Sequence, residues 1–337
     1  MTSRPLPRSV AIATLTTTAL LVAGCGSSVT PEAGQSDADA GTAVTLENCG
    51  RDVTIADAPE AAVGMHPAQT QLLLRLGLAD RLAGQAQAAA QALPEDVAPL
   101  AEDVPVIGGV MPPSREDLLA VEPDFVYSPT TYEFTAEQGF ASIEQLEQAD
   151  AAVYVATGGC FDRRMTGEVT DLFVDLENLG EIFGVQAEAA DLIAESQAEL
   201  DEVAAAIDGV EPLRVAQVYV EGTTLQAIGA GIEHDILGLA GADNVYGPDE
   251  PMFAEFFAAT ITPESLAAEE PDALVFAVYD EEHEAATRDY LTTTFPDMPA
   301  VQDDRLIVVS SSDVFPGTLG NIAIVRDIAE QLYPDAF

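Results

Sequence analysis

An internal repeat constrains this chain more than any other feature. Leu73–Gly84 reads LLRLGLADRLAG, and Ile236–Gly247 reads ILGLAGADNVYG, at an offset of 163. Glu116, Leu118, Glu122, Pro123 and Asp124 recur as Glu264, Leu266, Glu270, Pro271 and Asp272, at an offset of 148. The first copy therefore carries 15 extra residues between its paired segments, within Gln85–Pro113. One supersecondary plan is used twice. The length of 337 residues suits two lobes better than one minimal core.

Each copy reads as α/β. The apolar runs Phe125–Tyr127, Val153–Val155, Val215–Val220, Leu274–Val278 and Leu306–Val309 have the length and composition of buried strands. Helical spacing alternates with them, as in Thr70–Leu76 and Arg115–Val121, and Pro123 and Pro271 stop helices just before a strand. This order predicts largely parallel sheets with helices on both faces. Between the copies, helical periodicity runs from about Thr166 to Ile207 and is interrupted at Gly184. Its second part, about 22 residues, would span roughly 33 Å, enough to bridge two lobes.

The ends and the charge bound the setting. Arg4 and Arg8 precede an apolar run from Val10 to Val22, too short for a membrane span. The run ends in Val22-Ala23-Gly24-Cys25, which resembles the lipobox of bacterial lipoproteins, in which the cysteine is acylated and becomes the first residue. The other reading is an ordinary export signal with a chance cysteine. Gly26 to about Ala43 has the composition of a tether. The remaining cysteines, Cys49 and Cys160, are an even pair in an exported chain, which favours a disulfide over two free thiols or a metal site. Lysine is absent, and 12 arginines face 58 acids. Such a surface repels nucleic acid and anionic lipid heads. Solubility or adaptation to high salt accounts for the excess without a direct functional role.

Several segments in order carry a family resemblance: the lipobox, "AAVGMHPAQTQLLLRLGLADRLAG", "SREDLLAVEPDFVY", the long connecting helix, "GAGIEHDILGLAGADNVYG" and "ITPESLAAEEPDALVF". From about Val44 to Pro334 the chain resembles the periplasmic-binding proteins for ferric siderophores, haem and cobalamin, the substrate-binding lipoproteins of ABC importers. The resemblance implies two Rossmann-like α/β lobes joined by one rigid helix, with ligand in the cleft between them. On that plan residues 1–24 are a signal peptide, 25–43 a tether, 44–184 the N-terminal lobe, 185–208 the bridging helix and 209–337 the C-terminal lobe with a final helix. The implied partners are an ABC permease with its cytoplasmic ATPase and a small molecule resembling an iron–siderophore complex. The chain is then a monomer outside the cytoplasm, held to the membrane only through lipid on Cys25, with no cofactor of its own and iron in the ligand.

Candidate site residues follow. Ser114 and Thr262 read as N-caps, which makes Glu116 and Glu264 the second residue of their helices. By residue chemistry alone these are carboxylates favouring a helix dipole. The resemblance makes them the two residues that dock on the permease. His66 and Tyr132 follow strands of the first lobe, and Glu221, Tyr279 and Phe315 are their counterparts in the second, on loops where α/β folds bind ligands. Each also reads as an ordinary loop residue, and Phe253, Phe256 and Phe257 read as core. Whether His66 or Tyr132 touches iron is open. Adjacent Arg163 and Arg164 are expected to hold an anionic group of the ligand, unless acids such as Asp162 or Glu168 pair with them. No GxSxG, HExxH or phosphate-loop pattern is present, which argues against an enzyme.

Overall fold

The computed structural model describes residues 43–337. The described chain opens with an antiparallel hairpin, β1 (Val44–Asn48) and β2 (Arg51–Ile55). Its two-residue turn, Cys49-Gly50, has φ of 52° and 69°, the primed-turn geometry that suits a twisted hairpin. The first lobe follows with β3 (Ala62–Gly64), α1 (Pro67–Arg75), β4 (Leu82–Ala86) and β5 (Val106–Ile107). It continues through α2 (Arg115–Ala120), β6 (Phe125–Ser128), α3 (Ile143–Glu147) and β7 (Ala152–Val155). The sheet is parallel throughout, in the order β5-β4-β3-β6-β7.

Helices α4 (Asp171–Phe183) and α5 (Gln186–Ala206) then form a pair. Helix α5, about 31 Å long at 1.5 Å per residue, packs on α4 on one side and on elements of the second lobe on the other. The second lobe comprises β8 (Arg214–Glu221), β9 (Thr224–Ile228), α6 (Gly231–Leu239), β10 (Asp243–Asn244) and β11 (Ala258–Thr260). It ends with α7 (Pro263–Glu269), β12 (Ala273–Val278), α8 (Glu281–Thr294), α9 (Pro299–Gln302), β13 (Leu306–Ser310) and α10 (Gly320–Leu332). Its sheet runs β11-β9-β8-β12-β13, with β10 also beside β8. Strands β9 and β11 are antiparallel additions that the sequence pattern did not announce. The remaining pairs are parallel.

The lobes repeat one another in detail. Ser114 and Thr262 each cap their helix by accepting from the backbone N–H three residues on. Glu122 and Glu270 share a φ of 48°, and the side chains of Asp124 and Asp272 accept backbone N–H groups from the start of the neighbouring strand. The repeat read from the sequence is one residue out at α1 and α6. Leu76 and Ala240 end those helices with identical backbone angles, and Gly77 and Gly241 follow with φ of 77° and 81°. The structural offset there is 164, because the left-handed glycine, not the leucine pattern, fixes where each helix stops.

A single apolar core runs through both lobes. It extends from Leu73 and Phe125 through Leu176, Leu200 and Val203 to Ile236 and Ile328. A smaller cluster covers the opposite face of each sheet. Arg326 of α10 adds ion pairs to Glu199 and Glu202 of α5 at 3.2 and 2.7 Å. The bridge is thus part of the core, which favours small motions between lobes.

The hairpin is fastened to the edge strand β7. The Asn48 amide donates to Val155 O at 2.7 Å and accepts from Val155 N at 2.8 Å, taking the place of a backbone rung. Arg51 donates to Val153 O, and Cys49 forms a disulfide with Cys160 across 111 residues. A disulfide typically contributes about 2–4 kcal/mol, and loop-closure entropy puts a loop of this size toward the upper end.

Candidate ligand-binding cleft

A cavity of about 440 Å³ opens between the lobes at the C-terminal ends of their strands, where open α/β sheets bind ligands. The first lobe contributes Thr130, Gly158, Gly159 and Arg164. The second contributes most of the wall, including the aromatic rings of Tyr219, Phe256, Phe257, Tyr279 and Phe315. Gly231 closes the floor. Its N–H donates to Met165 O across the lobes at 3.1 Å. Its φ is +72°, and a Cβ there would lie 2.6 Å from Arg164 O, so only glycine fits.

Of the two arginines, Arg164 faces the cavity. Its guanidinium lies 4.4 Å from the Phe256 ring centre and 5.0 Å from that of Phe257. It forms no salt bridge among the described residues. Burial lowers its pKa, with nearby Glu133 opposing. Arg163 turns away and pairs with Asp171 at 2.5 Å, so the expected two-arginine clamp is reduced to one. The turn that joins β7 to α4 points adjacent side chains to opposite sides.

Tyr279 and Phe315 also line the cavity. Tyr279 is 49 % exposed and stacks on His283 with ring centres 4.1 Å apart. His66, Tyr132 and Glu221 are not in the wall. The His66 ring is buried and caps α1, its Nδ1 accepting from Ala68 N at 3.3 Å. Burial pushes its pKa down to about 4, and its ring backs Phe315 at 4.8 Å. Tyr132 is exposed and packs edge-on against Phe140. Glu221 accepts from the Tyr219 hydroxyl at 3.0 Å, outside the wall. Phe253 is core, whereas Phe256 and Phe257, also read as core, line the cavity. Glu233 went unnoticed in the sequence and lines it too.

Away from the cleft, Glu116 and Glu264 are exposed at the second position of α2 and α7. Arg115 beside Glu116, at 2.6 Å, lowers that carboxyl's pKa through its hydrogen bond. Cys25 and the segments expected to be a signal peptide and a tether, up to residue 42, lie outside the described residues. Among the described residues no helix is long and apolar enough to cross a membrane. Nor do three or more His, Cys, Asp or Glu gather there in a way that would hold a metal ion.

The profile of the family described as "Periplasmic binding protein" matches residues 63–312, both lobes and the bridge between them. The chain belongs to the periplasmic binding protein family. The likeness read from the sequence is to this family of binding proteins for transport, which are not enzymes. A similar chain is YvrC of Bacillus subtilis (strain 168), an uncharacterized ABC transporter substrate-binding lipoprotein. It is 24 % identical over 335 residues, 96 % of this chain and 97 % of that one. Among solved structures, a periplasmic binding protein from Veillonella parvula superposes with a TM-score of 0.76 at 23 % identity, covering 87 % of this chain and 99 % of its own. An ABC-type Fe3+-hydroxamate transport protein from Saccharomonospora viridis gives 0.70 at 23 %, covering 86 % and 98 %. At these identities the structural likeness is one of fold.

Proposed function

We propose that this periplasmic binding protein captures a ferric siderophore, or a similar iron complex, outside the cytoplasm and delivers it to an ABC permease powered by its ATPase. The observation that carries this reading is the inter-lobe cavity, with five aromatic rings and one arginine that forms no salt bridge among the described residues. Its volume suits a small organic molecule. The aromatic faces take the apolar body, and Arg164 offers a planar, always-charged donor for carboxylate, hydroxamate or catecholate oxygens. The ligand brings its own iron ligands, so the protein serves as a receptor with no cofactor. Relatives of this fold named for Fe3+-hydroxamate and for haem support the ligand class. Haem, cobalamin or another cofactor precursor is the second choice. Cys25 is the proposed lipid anchor, in keeping with a relative named as a lipoprotein, and the receptor acts as a monomer. Glu116 and Glu264 are the proposed permease contacts.

The test is a thermal-shift screen of ferric hydroxamates, ferric catecholates, haem and cobalamin, since a ligand that binds only the native state raises its stability by mass action. A ferric complex is expected to raise the melting temperature. Losing one charge-assisted hydrogen bond costs about 1.5–3 kcal/mol, so Arg164→Ala is expected to weaken binding about ten- to hundredfold. Arg163→Ala should stay within about threefold, because that side chain is engaged by Asp171. A panel in which only haem or cobalamin binds would reassign the ligand. Equal losses in the two variants would remove Arg164 from the reading.

A further inference from the structure

The cleft holds one acid that the reading above leaves unused. Glu233 is the third residue of α6, where a glutamate ordinarily reaches back to the N-cap backbone. Here the N-cap, Ala230, receives no side-chain hydrogen bond. The carboxylate instead accepts from Nε2 of the buried Gln217 on β8 and borders the ligand cavity. Among the described residues no arginine or histidine forms an ion pair with it, and Arg164 across the same cavity stays over the phenylalanine rings. Burial alone pushes the Glu233 pKa up to about 8. Glu233 is half-buried, and a carboxyl held partly out of water without a compensating charge is costly. In the wall of a ligand cavity, the missing charge can arrive with the ligand.

We infer that Glu233 is a second polar anchor of the cleft and takes a cationic nitrogen of the ligand, an ammonium or amidinium, while Arg164 takes its oxyanion end. The ligand is then a bipolar molecule whose apolar middle lies on Phe256 and Phe257. Arg164 comes from the first lobe and Glu233 from the second, so one such molecule bridges the lobes. This deepens the proposed function and rests on the cavity being its ligand site.

Two matched pairs of probes test it. The first is ferrioxamine B, a linear ferric trihydroxamate with a terminal ammonium, against its N-acetyl derivative, which lacks the charge. The second is tryptamine against N-acetyltryptamine, an aromatic body without iron, followed by NMR titration. Each pair is titrated into wild type, Glu233→Gln and Arg164→Ala. The charged member is expected to bind at least about tenfold tighter to wild type. That preference should fall below threefold in Glu233→Gln, which keeps the shape and a hydrogen bond to Gln217, and persist in Arg164→Ala. A wild-type preference below threefold overturns the inference even if Glu233→Gln fails to fold. A preference that survives in Glu233→Gln also overturns it. If neither ferric complex binds, the ferric-hydroxamate reading falls, and Glu233 is judged on the tryptamine pair alone. Binding of no amine in either pair overturns the assignment of Glu233.

Discussion

At the scale of single residues, Asp175 shows what burial does to a carboxyl in this chain. It is fully buried on α4, and its Oδ1 accepts from the Tyr154 hydroxyl, Thr157 N and Thr157 Oγ1 at 2.8, 2.9 and 2.6 Å. Its Oδ2 has no hydrogen-bond partner among the described residues. Burial outweighs these bonds and raises its pKa from 3.8 to about 7. The folded state therefore holds this proton more tightly than the unfolded chain does. The contribution to stability is complete below the unfolded value near 4 and is lost as pH rises to about 7. Asp175→Asn cannot ionise and should remove that part of the slope. Urea unfolding at pH 5 and pH 8 should show wild type losing about 2–3 kcal/mol more than the variant, at about 1.4 kcal/mol per pH unit. Parallel pH profiles would mean that Asp175 is ionised without penalty. The same scale explains what the sequence could not disclose. Arg163 and Arg164 are neighbours of one type, and only the turn after Cys160 decides which meets Asp171 and which meets the cleft. His66 stands before a proline at the first helical position but lies outside the usual set of capping residues, so its role as a cap was hidden. Glu233 was hidden for the converse reason, since a glutamate three residues into a helix already has an ordinary explanation.

At the scale of elements, the loop between β13 and α10 is one part of the second lobe that reaches into the first. Gln69 donates to the carbonyls of Pro316 and Gly317 at 3.1 and 3.2 Å, and the Tyr127 hydroxyl donates to Gly317 O at 3.2 Å. The same loop presents Phe315 and Pro316 to the cavity. Gly317 makes the contact possible. Its φ is +70°, and an added Cβ would lie 2.5 Å from Ala156 Cβ and 2.6 Å from the Tyr127 hydroxyl. Gly317→Ala should therefore combine backbone strain with overpacking, at about 2–4 kcal/mol, and weaken ligand binding by displacing Phe315. Gly209→Ala is the control, because Gly209 has a φ of +78° but nothing within 4 Å of the added carbon. It should cost about 1 kcal/mol and leave binding alone. Equal costs in denaturant melts would mean that the inter-lobe contact is loose. The sequence offered Phe315 of this loop as a ligand contact, but nothing in it marks the contact of Gly317 with the first lobe. Strands β6, β7, β8, β12 and β13 were legible because each contains a short, mainly apolar run, broken in β8 only by Gln217. Strands β9 and β11 were not, because β9 is short with a mixed burial pattern and β11 is a three-residue edge strand.

At the scale of the whole molecule, the repeat turns two surface glutamates into a pair. Helices α2 and α7 start from equivalent caps, and each leads into a strand that occupies the same place beside the first strand of its lobe. Glu116 and Glu264 consequently hold matching positions, one per lobe, both exposed. This correspondence was legible because the motif around each glutamate contains no insertion, so one offset of 148 runs from cap to strand. A helix dipole would favour an acid at either site independently and would not require both. A permease with two matching subunits would require both. Glu116→Arg and Glu264→Arg should each impair uptake of the bound panel compound in cells, and the double variant should abolish it. Its affinity for that compound should stay within about threefold, since neither residue lines the cavity. Glu188→Arg is the charge-matched control, an exposed acid in the first turn of α5 outside the repeat. Uptake should survive that change. Unchanged uptake in the double variant at normal expression, or an equal loss in Glu188→Arg, would return both glutamates to the role of helix-end charges. Loss in the double variant alone would mean that the two-fold plan of the chain is also the geometry by which it is recognised.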